Sequence, residues 1–100
     1  MRSVVLLLFL LALHTLPVTA SAAGSGLHDC AAEVADRTGT GRCSGTGTFR
    51  VLVACEDGRF ARGPWLTIDQ RRGTTDATCG SRAVGAEVEE LLADGTIVGA

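Results

Sequence analysis

Phe49-Arg50-Val51-Leu52-Val53-Ala54-Cys55 decides the fold. Phe49, Val51, Val53 and Cys55 fall on one face at period two, and Val, Leu and Phe favour a strand over a helix in so short a run. Asp57-Gly58 then supplies a two-residue hairpin turn, because a type I′ turn needs positive φ at both central positions. In that register Glu56 faces Arg59 as an opposite-charge pair beside the turn. Phe60 faces Cys55 on the buried side. The stretch reads as a β-hairpin.

Downstream, the returning strand breaks at Gly63-Pro64. Proline has no N–H to give to a ladder, so this point is an edge or a bulge. Residues 65–68 resume the strand. Residues 69–78 (Asp-Gln-Arg-Arg-Gly-Thr-Thr-Asp-Ala-Thr) read as a polar loop turning into a short strand that ends at Cys79. Gly80-Ser81 is another turn. Residues 83–92 carry two patterns. Val84, Ala86 and Val88 alternate as in a strand, while Val88, Leu91 and Leu92 suit a helical face with Gly95 as the stop. Strand is favoured, and Asp94-Gly95 then turns a second hairpin into Thr96-Ile97-Val98.

Upstream, residues 38–48 form a Gly/Thr/Ser segment with glycine at 39, 41, 45 and 47, read as a loop pinned by Cys43. Residues 30–37 read either as one or two helical turns, with Asp29 as the N-cap, or as an irregular strand. Residues 24–29 read as a flexible lead-in.

The chain starts with Arg2, an unbroken apolar run from Val4 to Leu13, and a small-x-small site at Ala20-Ser21-Ala22. That is the layout of a secretory signal peptide over residues 1–23, cleaved after Ala20, Ala22 or Ala23. The apolar run is half the roughly 20 residues a membrane span needs, so no membrane attachment is expected after cleavage. Leu27-His28-Asp29 before Cys30 has no small residue next to the cysteine, which excludes a lipoprotein anchor there.

Export places Cys30, Cys43, Cys55 and Cys79 in an oxidising compartment, where disulfides are expected. Residues 24–100 make one small domain whose core supplies little net stability alone, so staples are needed. Each bridge contributes about 3 kcal/mol in the chain-entropy model. Four cysteines allow three pairings. Cys30–Cys43 with Cys55–Cys79 is favoured, because each then closes a separate segment.

Removing Arg2 with the leader leaves eight arginines against 11 acids, a net charge of −3. A nucleic-acid binder would need a basic face, so that class is disfavoured. The chain has no lysine, which excludes a P-loop, a Schiff base and a Ser-Lys dyad. His28 is the one histidine left after cleavage, and it lies in the lead-in, a poor place for a catalytic base. The spacing C-x12-C-x11-C-x23-C lacks the close pairs of a zinc site. Glu56-Asp57, Glu87, Glu89 and Glu90 offer carboxylates, but so short a chain rarely builds the cleft a glycosidase needs. Gly39-Thr40-Gly41 is an incomplete dinucleotide motif with no strand before it. No enzyme activity, metal or cofactor is expected.

Arg62-Gly63-Pro64-Trp65 is the sharpest positive candidate, with Arg71-Arg72 in the following loop. Tryptophan and arginine are over-represented among binding hot spots, and a rigid proline beside Trp65 lowers the entropy lost on binding. Trp65 is also the single tryptophan of a chain poor in aromatics, which favours the core. Arg71 and Arg72 read as charged loop tips, or as the residues an inhibitor presents to a trypsin-like enzyme.

Cys43-Ser44-Gly45, the run from Phe49 to Cys55, Gly63-Pro64-Trp65 and Ala77-Thr78-Cys79 resemble a pattern of small secreted proteins of actinobacteria. The resemblance covers residues 43–90 and implies an exported two-disulfide β-domain; it implies no activity. All-arginine usage beside abundant Ala, Gly and Val agrees with a GC-rich genome. The secreted α-amylase inhibitors of the tendamistat type are likewise short, β-rich and held by two disulfides. Their Trp-Arg-Tyr turn is absent, since this chain has no tyrosine, and no residue is carried over from them.

The expected protein is mainly β, a small disulfide-stapled antiparallel sheet or sandwich with at most one short helix. The leading function is non-enzymatic binding outside the cell, as an inhibitor or interaction module with an extracellular protein partner. The alternative is a cell-surface or polysaccharide-associated structural protein.

Overall fold

The computed structural model describes residues 26–99, so the leader expected over 1–23 and its cleavage sites lie outside the described residues. Six strands follow in order: β1 Gly26–Ala35, β2 Thr38–Cys55, β3 Phe60–Arg62, β4 Leu66–Thr78, β5 Ala83–Leu91 and β6 Ile97–Gly99. Every pairing is antiparallel. No helix occurs among the described residues.

β2 organises the fold. Its second half carries the alternation that decides the class: Phe49, Val51 and Val53 are fully buried and Cys55 nearly so. That half pairs with β5 on one edge and with β3 on the other. Its first half pairs with β1 on one edge and with β4 on the other. β3 and β4 run back along the same edge of β2, interrupted by Gly63-Pro64-Trp65, where the Gly63 N–H still reaches the Val51 carbonyl at 2.9 Å.

The sheet then folds over on itself. β2 bends where its ladder with β4 slips, between Gly45 and Gly47, and both glycines have positive φ, 105° and 156°. β4 bends at the same level through Gln70, at φ 52°. The bend lays the first half of β2 onto the second half. A Cβ at Gly39 would overlap the Val53 side chain, and one at Gly41 would lie 3.0 Å from Val51 Cβ. Small residues on one layer therefore let the branched residues of the other approach the backbone. The core forms two adjoining clusters between the layers, one around Val51, Val53, Cys55, Cys79 and Ala83, the other around Cys43, Phe49, Ile68 and Val88. Ala32 packs against both.

The disulfides are Cys30–Cys43 and Cys55–Cys79. The first links neighbouring strands β1 and β2 at a bulge between His28 and Ala31. The second joins the ends of β2 and β4. Main-chain bonds reinforce it, from Cys79 N–H to the Arg37 carbonyl and from Ala83 N–H to the Asp36 carbonyl, each 2.8 Å.

Several expectations are corrected. Residues 38–48 are strand, because two partner strands and a buried glycine face supply what the composition lacks. Of the two readings of residues 30–37 the irregular strand holds and the helical turns do not: they are β1 and the turn at Asp36-Arg37, and Asp29 sits at the bulge with φ 54° instead of capping a helix. The lead-in is ordered strand from Gly26 on. Residues 69–78 are part of β4, paired throughout with β2 apart from the bend, so Arg71 and Arg72 lie on a strand.

The hairpin exists with a different register. Ala54 pairs with Phe60, so the loop has three residues, Glu56-Asp57-Gly58, and Cys55 faces Arg59. Gly58 N–H bonds to the Cys55 carbonyl at 3.0 Å, and Gly58 has φ 89°. That is a type I turn closed by a left-handed residue, a common three-residue hairpin loop. One residue of slip exchanges the faces. Phe60 thus lands outside, 59% exposed, and Glu56 does not face Arg59. The same loop recurs at Leu92-Ala93-Asp94-Gly95-Thr96, where Gly95 N–H bonds to the Leu92 carbonyl at 2.9 Å. Residues 83–91 are strand as favoured, and Val84 is exposed because the β2–β5 ladder slips there.

Candidate functional site

The alternation that buries Phe49, Val51 and Val53 sends Arg50, Leu52 and Ala54 to the outer face of the sheet. Directly opposite them on β5 are Glu89, Glu87 and Gly85. On β3, Arg62 stands opposite Leu52 and Phe60 opposite Ala54. Residues paired across strands share a face, so these side chains make one surface.

At one end of it Arg50 ties two neighbours together. Its Nε donates to Glu89 Oε1 at 2.8 Å, with both side chains 17% exposed. Its guanidinium lies 4.2 Å from the centroid of the Trp65 ring. Trp65 is 36% exposed, so it is a surface residue held by Arg50 and not a core residue. The bulge that carries it is fixed from behind: Thr75 Oγ1 donates to the Pro64 carbonyl at 3.0 Å. Gly63 is buried where a Cβ would lie 2.6 Å from the Asp76 carbonyl oxygen. Pro64 itself is exposed, at a point where no ladder bond is needed from it.

At the other end Leu52, Ala54, Phe60, Gly85, Ala86 and Glu87 line a shallow depression of about 240 Å3. Phe60 is its most prominent apolar side chain. The face thus offers two aromatic rings on a sheet closed by a disulfide, with Arg62 between them and carboxylates Glu87 and Glu89 along β5. Rigid aromatic rings beside arginine are the usual composition of a binding hot spot.

Of the residues singled out in the sequence, Arg62, Pro64 and Trp65 come together on this surface. Arg71 and Arg72 do not. They lie on β4 opposite Gly45 and Ser44, five and six residues along β2 from Arg50, roughly 17–20 Å of strand away. The sequence reading missed Arg50, Leu52 and Phe60 as surface members. The unburied phase of the Phe49 to Cys55 alternation already carried Arg50 and Leu52. Phe60 was hidden by the one-residue difference in turn length.

His28 is on β1, with Nδ1 2.9 Å from Asp29 Oδ2. All four cysteines are in disulfides, which removes them as thiolate ligands or nucleophiles. Among the described residues no three His, Cys, Asp or Glu side chains gather as a metal-binding group, and no helix is long and apolar enough to cross a membrane. In comparisons with known proteins, no family model, curated protein or solved structure matches this chain.

Proposed function

We propose that this chain is exported by its leader and works outside the cell as a non-enzymatic binding module for a protein partner. The carrying observation is the outer face of β2, β3 and β5, where Trp65, steadied by Arg50, and Phe60 stand exposed beside Arg62. Anchors already held in place lose little entropy on binding, so each contributes more of its contact energy to affinity. Two disulfides in a chain this short agree with an extracellular setting. The resemblance to small secreted actinobacterial β-domains belongs to the same reading.

The test is a pull-down with oxidised, leader-free protein against extracellular proteins and, separately, against insoluble cell-wall polysaccharide. A saturable protein partner lost by Trp65→Ala and Phe60→Ala, with the fold intact by circular dichroism, supports the proposal. Retention on polysaccharide with no protein partner overturns it in favour of the structural alternative.

A further inference from the structure

A second surface lies at the bend of the sheet. His28, Ser44, Gly45, Gln70, Arg71 and Arg72 line a depression of about 460 Å3, and none of them is acidic. Ser44 is the centre of the row, paired with His28 on β1 and with Arg72 on β4, so the three share one face. Successive strand residues normally point to opposite faces. Arg71 and Arg72 nevertheless line the same depression, because both strands are irregular here. Gly45 has φ 105° and Gln70 has φ 52°.

A left-handed glutamine is disfavoured by roughly 1 kcal/mol or more and persists only where its surroundings fix it. The fixing contacts are present: Gln70 N–H donates to Thr46 Oγ1 at 3.0 Å, and Thr46 Oγ1 donates to Asp69 Oδ1 at 3.2 Å. Bulges of this kind re-aim side chains.

The electrostatics favour an anion. Arg71 and Arg72 have no ion-pair partner among the described residues. The adjoining hollow shares Ser44 and Arg72 with this one and adds Asp29 and Arg42, whose guanidinium pairs with Glu33 at 3.5 Å. The domain as a whole is acidic, so two guanidiniums without an ion pair lining one depression are a local exception; the Asp29 carboxylate at its edge is engaged with His28 at 2.9 Å. Guanidinium forks match tetrahedral oxyanions bidentately, and the Ser44 hydroxyl and Gln70 carboxamide add neutral donors.

We propose that this depression binds a tetrahedral oxyanion, phosphate or sulfate, either free or carried on a polymer, through Arg71, Arg72 and Ser44. The oxidised 15N-labelled protein is titrated with sodium phosphate and sodium sulfate at constant ionic strength, and in separate arms with dextran sulfate and uncharged dextran. Saturable amide shifts are expected at Ser44, Gly45, Gln70, Arg71 and Arg72. Arg71→Ala and Arg72→Ala should each weaken binding by roughly fivefold, the upper end for an exposed ion pair. Arg82→Ala, in the turn before β5 beside the Cys55 end of β2, should leave it unchanged.

Dextran sulfate binding more tightly at the same residues assigns the anion to a polymer; equal or weaker binding assigns the free ion. Shifts that stay linear with concentration, or an equal loss in Arg82→Ala, overturn the site and leave only general charge screening.

Discussion

The Arg50 guanidinium sits 4.2 Å from the centroid of the Trp65 ring while its Nε bonds to Glu89 Oε1 at 2.8 Å. One cation therefore satisfies a carboxylate on β5 and steadies an aromatic ring on the bulge before β4. A cation over an indole contributes about 0.5–1 kcal/mol at exposed sites. The hydrogen bond to a mostly buried carboxylate adds about 1.5 kcal/mol or more.

Arg50→Ala should therefore destabilise the domain by about 2 kcal/mol and free the ring. Trp65 is the only tryptophan and the chain has no tyrosine, so intrinsic fluorescence reports this contact alone. Its emission should move to the red and its quenching by acrylamide should rise. An unchanged spectrum would show that Arg50 does not hold the ring in solution.

The glycines of the two layers should respond in opposite directions. Gly39→Ala pushes a methyl into Val53 across the fold, and overpacking of this kind costs about 1–3 kcal/mol. Gly85 lies on the outer face with nothing near its Cβ position and no positive φ. Gly85→Ala should gain about 0.4–1 kcal/mol by restricting the unfolded chain. Urea midpoints at unchanged slope measure both. A neutral Gly39→Ala would mean that the layers are not in contact there.

These glycines also explain what the sequence made legible. Phe49 to Cys55 declares its strand because alternation and side-chain type agree, and Asp-Gly turns declare two hairpins. Residues 38–48 belong to the same strand, but nothing local says so. Their Gly-x-Gly-x pattern reads as loop until the partner layer is known, since its purpose is to make room for Val51 and Val53. Gln70 and Asp29 hide in the same way, because bulges at non-glycine residues are imposed by neighbours distant in sequence. Trp65 was legible as a candidate anchor, whereas Arg50, its support, depended on the bulge geometry at Gly63-Pro64.

The disulfides should differ in effect. Cys30 and Cys43 join adjacent strands already paired through β1 and β2, across a sequence separation of 13. Cys55 and Cys79 join the ends of β2 and β4 across a separation of 24, and both sulfurs sit in the core cluster with Val51, Val53 and Ala83. The chain-entropy model gives roughly 3 kcal/mol for each, with only about half a kcal/mol in favour of the longer loop. Losing the second bridge also removes two buried cysteines where losing the first removes one, Cys43, with Cys30 only half-buried, and that widens the gap. The double variant Cys55→Ala/Cys79→Ala should be clearly less stable than Cys30→Ala/Cys43→Ala in chemical denaturation. The reverse order would mean that the bulge at Cys30, not the junction at Cys79, holds the layers together.

Acid should act on the second hairpin through Asp94. Its carboxylate accepts the Thr96 N–H at 2.9 Å. Hydrogen bonds from the Thr96 backbone and then its side chain hold the Asp94 pKa below the ordinary 3.8. Because the folded value is depressed, the ionised form favours the hairpin. That contribution is complete well above pH 3.8 and is lost as the pH falls below 3.8 through the folded value. The Thr96 amide proton shift, followed by NMR from neutral pH downward, should titrate with a midpoint below 3.8. Asp94→Asn keeps an oxygen that can accept the bond but removes the titration, so the step should vanish while the turn survives. A midpoint at or above 3.8 in the native sequence would mean that the Asp94–Thr96 bond does not persist in solution. The β5–β6 turn would then rest on its main-chain bonds, from Gly95 N–H to the Leu92 carbonyl and from Leu92 N–H to the Thr96 carbonyl.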